Sequence, residues 1–447
     1  MIPIVLVPKS VQDYMQNFRD IFCRNAGFDY VSRYITGLIL SPNKTMQGIH
    51  DLQVWEDKKP KYRTMYESVY EAGWESNQLM PRHRKVQSKN YQGKGRHIIS
   101  LDWTFGHHER GPKIYGVKKG YDYVNKCYSH FQTIMTAVLS NAQRVDCIDV
   151  EVQEPGFIKE EKAYLETTVK DQYEQLEQAR ERMLELLSHH LHVRSYKKRT
   201  EIFVEQVKKL EEEGVFPEAN YAFDNRVLNL GLVRLIESCG KHWVSELEIS
   251  RNVLWQGKWK RIDEVSQSLK DNSAKSFRHH NVKLRTGNFQ DYWVFSKVFR
   301  LKRGYGKKRI LIVHEQANLE DTPRFLVTDA LHWESKRILN VWSYRWSSEI
   351  FHEFAKQCTG FESAQLRGEE GVKRHLRMSC IAQSILQEMT FAFSTSEKFS
   401  FAKGQSTLGQ KWRSIFREIF HGLLMKVKSF VQEGRSILDI LNTLMPA

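Results

Sequence analysis

Six cysteines in 447 residues (Cys23, Cys127, Cys147, Cys239, Cys358, Cys380) are scattered, with no C-x2-C pair. That spacing argues against a zinc finger or a disulfide framework and fits a reducing cytosol. No run of 18 apolar residues exists, so the sequence offers no membrane span. The opening MIPIVLVPKS is apolar but short, is broken by Pro3 and Pro8, and lacks a basic leader, so it does not read as a signal peptide. What is present is charge. Charged residues make up 27% of the chain and hydrophobic residues 41%, with a net charge of +15, as in a globular protein with room for a large core. Residues 151–218 hold 11 Lys/Arg against 16 Asp/Glu, which leaves about +20 on the rest. A basic body of that size points to a polyanionic partner, nucleic acid before membrane.

The pattern along the chain divides into five parts. Residues 1–96 show aromatic and aliphatic side chains at three- and four-residue steps, which predicts a small helical bundle and a candidate DNA-end-binding region. Its tail, Arg82-His83-Arg84-Lys85 with Lys89, Lys94 and Arg96, reads as a flexible basic linker suited to tracking phosphates. Residues 97–239 open with three strands, HIISLDW, KIYGVKKGYDYV and FQTIMTAVLS. A helical insertion over 157–196 follows, and then a helix, TEIFVEQVKKLEEEG, that ends at Gly214. Residues 240–330 alternate with period two and read as β-rich. Residues 331–395 hold the segment YRWSSEIFHEFAKQ, and 396–447 carry a helical apolar stripe from Trp412 to Phe430 that must be covered by its own chain or a second copy.

The spacing within YRWSSEIFHEFAKQ is informative. At 100° per residue, Glu349 lies 40° around a helix from Arg345 and Lys356 only 20°, while Trp346, Ile350, Phe351 and Phe354 occupy the other arc. One carboxylate between two cations suits a metal ligand flanked by phosphate contacts; a surface helix with an i,i+4 ion pair is the plain alternative. Upstream, Asp102 ends the apolar run of HIISLDWTF and Asp224 that of EANYAFDNRV. The densest basic patch gathers Lys297, Arg300, Lys302, Arg303, Lys307, Lys308 and Arg309 about Gly304-Tyr305-Gly306, where a hairpin tip would present it to DNA. His107-His108 stand near Asp102, but adjacent strand residues point to opposite faces, so a structural role is expected for both.

Together, R-x3-E-x6-K and the two aspartates resemble the bacterial insertion-sequence transposases of the cut-and-paste DDE group, whose signature is Y-x2-R-x3-E-x6-K. Trp342 stands at the signature tyrosine, with Tyr344 two residues on. The resemblance covers roughly residues 30–390. It implies an α/β RNase H-like catalytic core interrupted by a β-rich insertion domain (240–330), with helical N- and C-terminal regions. It implies Asp102, Asp224 and Glu349 as catalytic residues holding two Mg²⁺ ions, with Mn²⁺ as a possible substitute. Arg345 and Lys356 would grip DNA phosphates. Double-stranded DNA, as element ends and target, is the implied partner, bound by a homodimer at the bacterial nucleoid in the cytoplasm. An aromatic residue among Trp255, Trp259 and Trp293 would receive an extruded base if cleavage runs through a hairpin. Two other readings stay open: a catalytically inactive, DNA-binding descendant of such an element, and a structure-specific nuclease of the same core fold.

Overall fold

The computed structural model describes residues 2–55, 59–109, 111–123, 125–154, 181, 197–388 and 407–445. The fold is mixed α/β, built on one mixed sheet. The expected helix over 157–196 lies outside the described residues.

The N-terminal region is helical, with α1 (Lys9–Met15), α2 (Asn25–Leu40), α3 (Met46–Leu52), α4 (Tyr62–Tyr66) and α5 (Leu79–Tyr91). Here the basic-linker reading of 82–96 fails over its first half. Arg84 and His83 lie on α5 and are fully buried. Arg84 donates to Asp149 at 3.1 Å and to Glu213 at 2.6 Å. His83 takes Tyr14 Oη on Nδ1 and faces the Cys147 carbonyl. The charge that looked like a phosphate contact instead ties the helical region to the sheet, because buried Asp149 on the strand Val145–Val152 and the partly exposed Glu213 satisfy it.

The sheet runs β2 (Val117–Asp122), β3 (Cys127–Ser140), β1 (Ile98–His107), β5 (Asn220–Phe223), β6 (Trp243–Glu246), β12 (Arg324–Thr328), β11 (Gly306–His314), β10 (Phe289–Leu301), β7 (Asn252–Trp255), β8 (Lys258–Arg261). β4 (Val145–Val152) pairs with β3, and β9 (Arg278–Lys283) with β10. β1, β5 and β6 are mutually parallel; β3 is antiparallel to both β1 and β4. The stretch 240–330 is continuous with this sheet rather than set apart. β6 pairs with β5, and β12 returns beside β6. One core cluster includes Leu101 and Met135 as well as Val253, Phe299 and Ile310. Several elements had no counterpart in the sequence reading, β4 and a helix within 240–330 among them. β4 hides in VDCIDVEV because a bulge opposite Ala137 and Val138 interrupts its alternation and its acidic residues Asp146 and Asp149 are buried. α8 (Ile262–Ser273) interrupts the β-rich stretch.

Alternation along β3 separates two apolar layers. Ile134 and Val138 join the layer with α2 and α11 (Glu369–Glu388). Met135, Ala137 and Leu139 join the opposite layer with α6 (Arg199–Glu213) and α7 (Leu230–Ser238). α6 stops at Gly214, whose φ of 59° lets its N–H reach the Leu210 carbonyl, and the chain turns from there to β5. α9 (Ser335–Ser343) leads to α10 (Trp346–Cys358), which buries Phe351 and Ala355 in the first layer. Burial of a phenylalanine of this kind contributes about 2–3 kcal/mol to fixing the helix on the sheet. α12 (Leu408–Gln432) and α13 (Ile437–Leu444) complete the C-terminal part. On the predicted stripe of α12, Ile415, Ile419 and Phe430 are buried, while Phe420 remains 42% exposed.

Candidate active site

β1 is longer than its parallel neighbour. Its registered pairs with β5 end at Leu101 opposite Phe223, so Asp102 and Asp224 come next on the two strands. Neighbouring strands lie about 4.8 Å apart, which sets the two aspartates side by side at the C-terminal end of β5. Beyond this point β1 has an open edge, and a cavity of about 600 Å³ lies along it. Asp102, Asp224, Arg226, Arg199, Tyr123 and Lys356 are among its lining residues.

α10 crosses the same region. Ser348 Oγ donates to Ser100 Oγ at 2.6 Å, Ser100 Oγ donates to the Arg345 carbonyl at 3.0 Å, and His352 Nε2 meets Thr136 Oγ1 at 2.7 Å. Thr136 is the partner of Asp102 in the β1–β3 register, and Ser100 lies two residues before it. Asp102 therefore belongs to the face of β1 that α10 covers. Burial pushes the His352 imidazole down to about 3, with Lys356 adding to the effect, so this contact is made by a neutral ring.

Burial pushes the Asp102 carboxyl up to about 7. The Trp103 N–H, which donates to Oδ1 at 2.8 Å, and the Arg345 cation oppose that rise, while the Asp224 and Glu349 charges reinforce it. Asp224 Oδ1 accepts the Arg226 N–H at 3.0 Å, an aspartate turn that starts the loop leaving β5. Asn225 and Arg226 thus shape the turn that presents Asp224.

The third carboxylate is placed differently. Glu349 pairs with Arg345 at 2.7 Å, one turn apart on α10. Neither residue lines the cavity, although both act on Asp102 through charge. The Arg345 guanidinium lies 5.2 Å from the Trp342 ring and 5.6 Å from Trp346, so tryptophan at the signature tyrosine position serves as an aromatic clamp on the cation. Lys356 does reach the cavity. Its Nζ donates to the Phe105 carbonyl at 2.6 Å and pairs with Glu362 at 2.7 Å. No three His, Cys, Asp or Glu side chains among the described residues form a group that could hold a metal ion. The structure brings together Asp102, Asp224 and Lys356, with the Arg345–Glu349 pair beside them.

Residues the sequence reading passed over also belong here. Arg199 opens α6 and lies 4.2 Å from the Trp103 ring. Glu246 follows Ser245, the registered partner of Phe223, which puts it next to Asp224 in the following row. Burial raises its carboxyl, Arg324 opposes, and Asp224 adds to the rise. Only strand register could reveal Glu246, since no motif surrounds it. His107 and His108 have protein partners: Asp122 at 2.8 Å and Gln132 at 3.0 Å.

The basic patch forms the predicted hairpin, with β10 and β11 joined through Arg303 and Gly304 at positive φ. Lys297, Arg300, Lys302, Arg303 and Lys307 are exposed. Two of its members are not free for phosphate. Lys308 is buried and pairs with Glu237 at 3.0 Å. Arg309 donates to the Leu331 carbonyl at 2.8 and 2.6 Å. Strand alternation turns Lys308 inward, toward a carboxylate on α7. Trp255 packs under Lys297 at 4.6 Å and Trp293 against His279 at 5.1 Å, whereas Trp259 is 44% exposed. Compared with known proteins, the chain matches no family model and no curated protein.

Proposed function

We propose that the chain is a DDE-type DNA transposase that cleaves DNA at the ends of its own insertion sequence and transfers the resulting strand to a target. The observation that carries this reading is the pair Asp102 and Asp224, side by side at the ends of parallel strands and opening into one cavity with Lys356. The strand order β4-β3-β1-β5-β6, with β3 antiparallel and helices on both faces, supports an RNase H-like core.

The donor set fits a hard divalent cation. Mg²⁺ takes one or two carboxylates and leaves its other positions to water and substrate phosphate. Asp102 and Asp224 would hold it, and a cation would stabilise the charged form of Asp102, which burial chiefly disfavours and the Asp224 and Glu349 charges disfavour further. When bound, a pair of such ions would supply activation of the attacking oxygen and stabilisation of the leaving one. The protein's own groups then do the rest. Lys356, held by the Phe105 carbonyl, would be drawn from Glu362 by a phosphate at the cavity wall. A second phosphate at Arg345 competes with Glu349 for the guanidinium, which frees that carboxylate to act beside Asp102. The exposed cations of the β10–β11 hairpin hold the flanking duplex, and two copies act on paired ends.

The test is cleavage of the DNA flanking the chain's own gene, with and without Mg²⁺. Asp224→Ala should still shift an end-DNA band at low salt while giving no 3′-hydroxyl product. Cleavage at the wild-type rate in that variant would rule the assignment out. The Arg345–Glu349 pair favours a second reading, a DNA-binding descendant without activity, if Glu349 never leaves Arg345. In that case the wild type itself binds end DNA and cuts nothing at any Mg²⁺ or Mn²⁺ concentration.

A further inference from the structure

The β2–β3 hairpin carries an aromatic cluster that the chemistry above leaves unused. Tyr121 pairs with Tyr128 across the two strands, and Tyr123 follows in the turn. Their exposures are 40%, 72% and 71%, so Tyr128 and Tyr123 stand largely in solvent and Tyr121 partly so. The ring centroids lie 5.1 Å apart for Tyr121–Tyr123 and 5.5 Å for Tyr121–Tyr128, both edge to face. The tip is held in place from inside. Asp122, fully buried, faces His107 Nε2 at 2.8 Å and accepts from Asn125 Nδ2 at 2.8 Å, which pins the hairpin to β1.

Three aromatic rings standing in water on a pinned hairpin are costly to leave uncovered, and they mark a contact surface. Two further facts decide its occupant. Tyr123 also lines the cavity that holds Asp102 and Asp224, so the cluster is continuous with the carboxylate site. Exposed Lys119 and Lys126 flank the rings, on a chain of net charge +15. Aromatic faces interleaved with cations are the chemistry of a nucleic-acid strand, whose bases stack while its phosphates are neutralised. Bases inside a duplex have no free faces, so only unpaired ones can stack here.

We propose that Tyr121, Tyr123 and Tyr128 form a stacking platform for unpaired bases of the DNA strand whose backbone enters the Asp102–Asp224 cavity, with Lys119 and Lys126 on its phosphates. The proposal rests on the DNA-cleaving reading for its location and adds a part to it. The platform keeps a few nucleotides beside the cut unpaired and fixes which phosphate lies over the carboxylates.

Binding of the full chain to a labelled thymidine oligonucleotide of about 12 nucleotides, within the span of one strand groove, is compared with the same strand carrying abasic sites at its centre. Wild type should prefer the strand that keeps its bases by roughly tenfold per ring engaged. The triple change Tyr121→Ala, Tyr123→Ala and Tyr128→Ala should erase that preference, whereas the three Tyr→Phe changes should keep it. The salt slope should stay the same throughout, because no charge has been altered. The platform is overturned if wild type binds both strands equally, or if the alanine variant keeps the preference. It is also overturned if the alanine changes turn a dimer into a monomer in sedimentation without altering base preference, since the rings then face a second copy. These outcomes separate the two readings. Base preference without Mg²⁺-dependent cleavage removes the transposase and leaves the platform; cleavage without base preference removes the platform alone.

Discussion

Asp102→Asn tests the site without DNA. The substitution keeps the Oδ1 acceptor for the Trp103 N–H and the shape of the side chain, and it removes the charge. Asp102 rises from 3.8 in the unfolded chain to about 7 in the folded one, chiefly through burial. Between these values the folded state holds a proton that the unfolded state has released. The carboxyl therefore costs nothing below pH 3.8; its penalty grows as pH rises and is complete above pH 7. The full conversion sets a ceiling of about 4 kcal/mol. Because the group opens onto a cavity where water screens it, about half of that is expected. Urea unfolding of metal-free protein from pH 5 to 8 should show Asp102→Asn more stable than wild type, by about 2 kcal/mol at pH 8, with the gap closing toward pH 5. Adding Mg²⁺ at a hundred times its dissociation constant should stabilise wild type by about 2.7 kcal/mol and the variant far less. A variant less stable than wild type at pH 8, or a gap that ignores pH, would refute the claim that Asp102 is a strained, uncompensated carboxylate.

Arg84→Ala should cost up to about 3 kcal/mol, because buried Asp149 loses one of its two cations and keeps only Lys209 at 3.1 Å, read as a fall in the urea midpoint with no effect on the salt slope of DNA binding. His83, His352 and His375 are held down to about 4, 3 and 4 by burial. Below pH 6.5 the unfolded chain takes up protons that these folded rings refuse, so thermal stability should fall steadily from pH 6.5 toward 4; a flat profile would contradict their burial as neutral rings. Changing Arg300, Lys302, Arg303 and Lys307 to alanine should flatten the log–log salt slope by about 0.9 for each phosphate no longer neutralised, on all sequences alike. Lys308→Ala should leave the slope alone and lower stability instead, because its charge is spent on Glu237.

Local patterns carried further in some places than in others. The N-terminal helices, β1, β3, the Gly214 stop and the β10–β11 hairpin follow from periodicity and turn chemistry that act over a few residues. Asp102 and Asp224 could be singled out because each ends an apolar run, and α10 because its two arcs differ. β4 was passed over because a bulge shifts its alternation midway and its inward positions include Asp146 and Asp149, which look like surface residues in sequence. Lys308 and Arg84 misled for a related reason. A cation looks the same in sequence whether it meets solvent or a buried carboxylate contributed from far along the chain.

The sequence by itself determined the residue types at the site, the spacing of Arg345, Glu349 and Lys356 on one helical arc, and the excess of positive charge. These are properties of a chain with fixed rise and rotation per residue. Only the tertiary structure decided which groups meet. The β1–β5 register set Asp102 beside Asp224, and β6 added Glu246 to the row. The seating of α10 on Ser100 and Thr136 gave Lys356 to the cavity and left the local Arg345–Glu349 pair outside its lining. The β1–β5 register and the seating of α10 arise from packing between segments more than a hundred residues apart. Their energies come from burial and pairing that no local stretch of sequence contains.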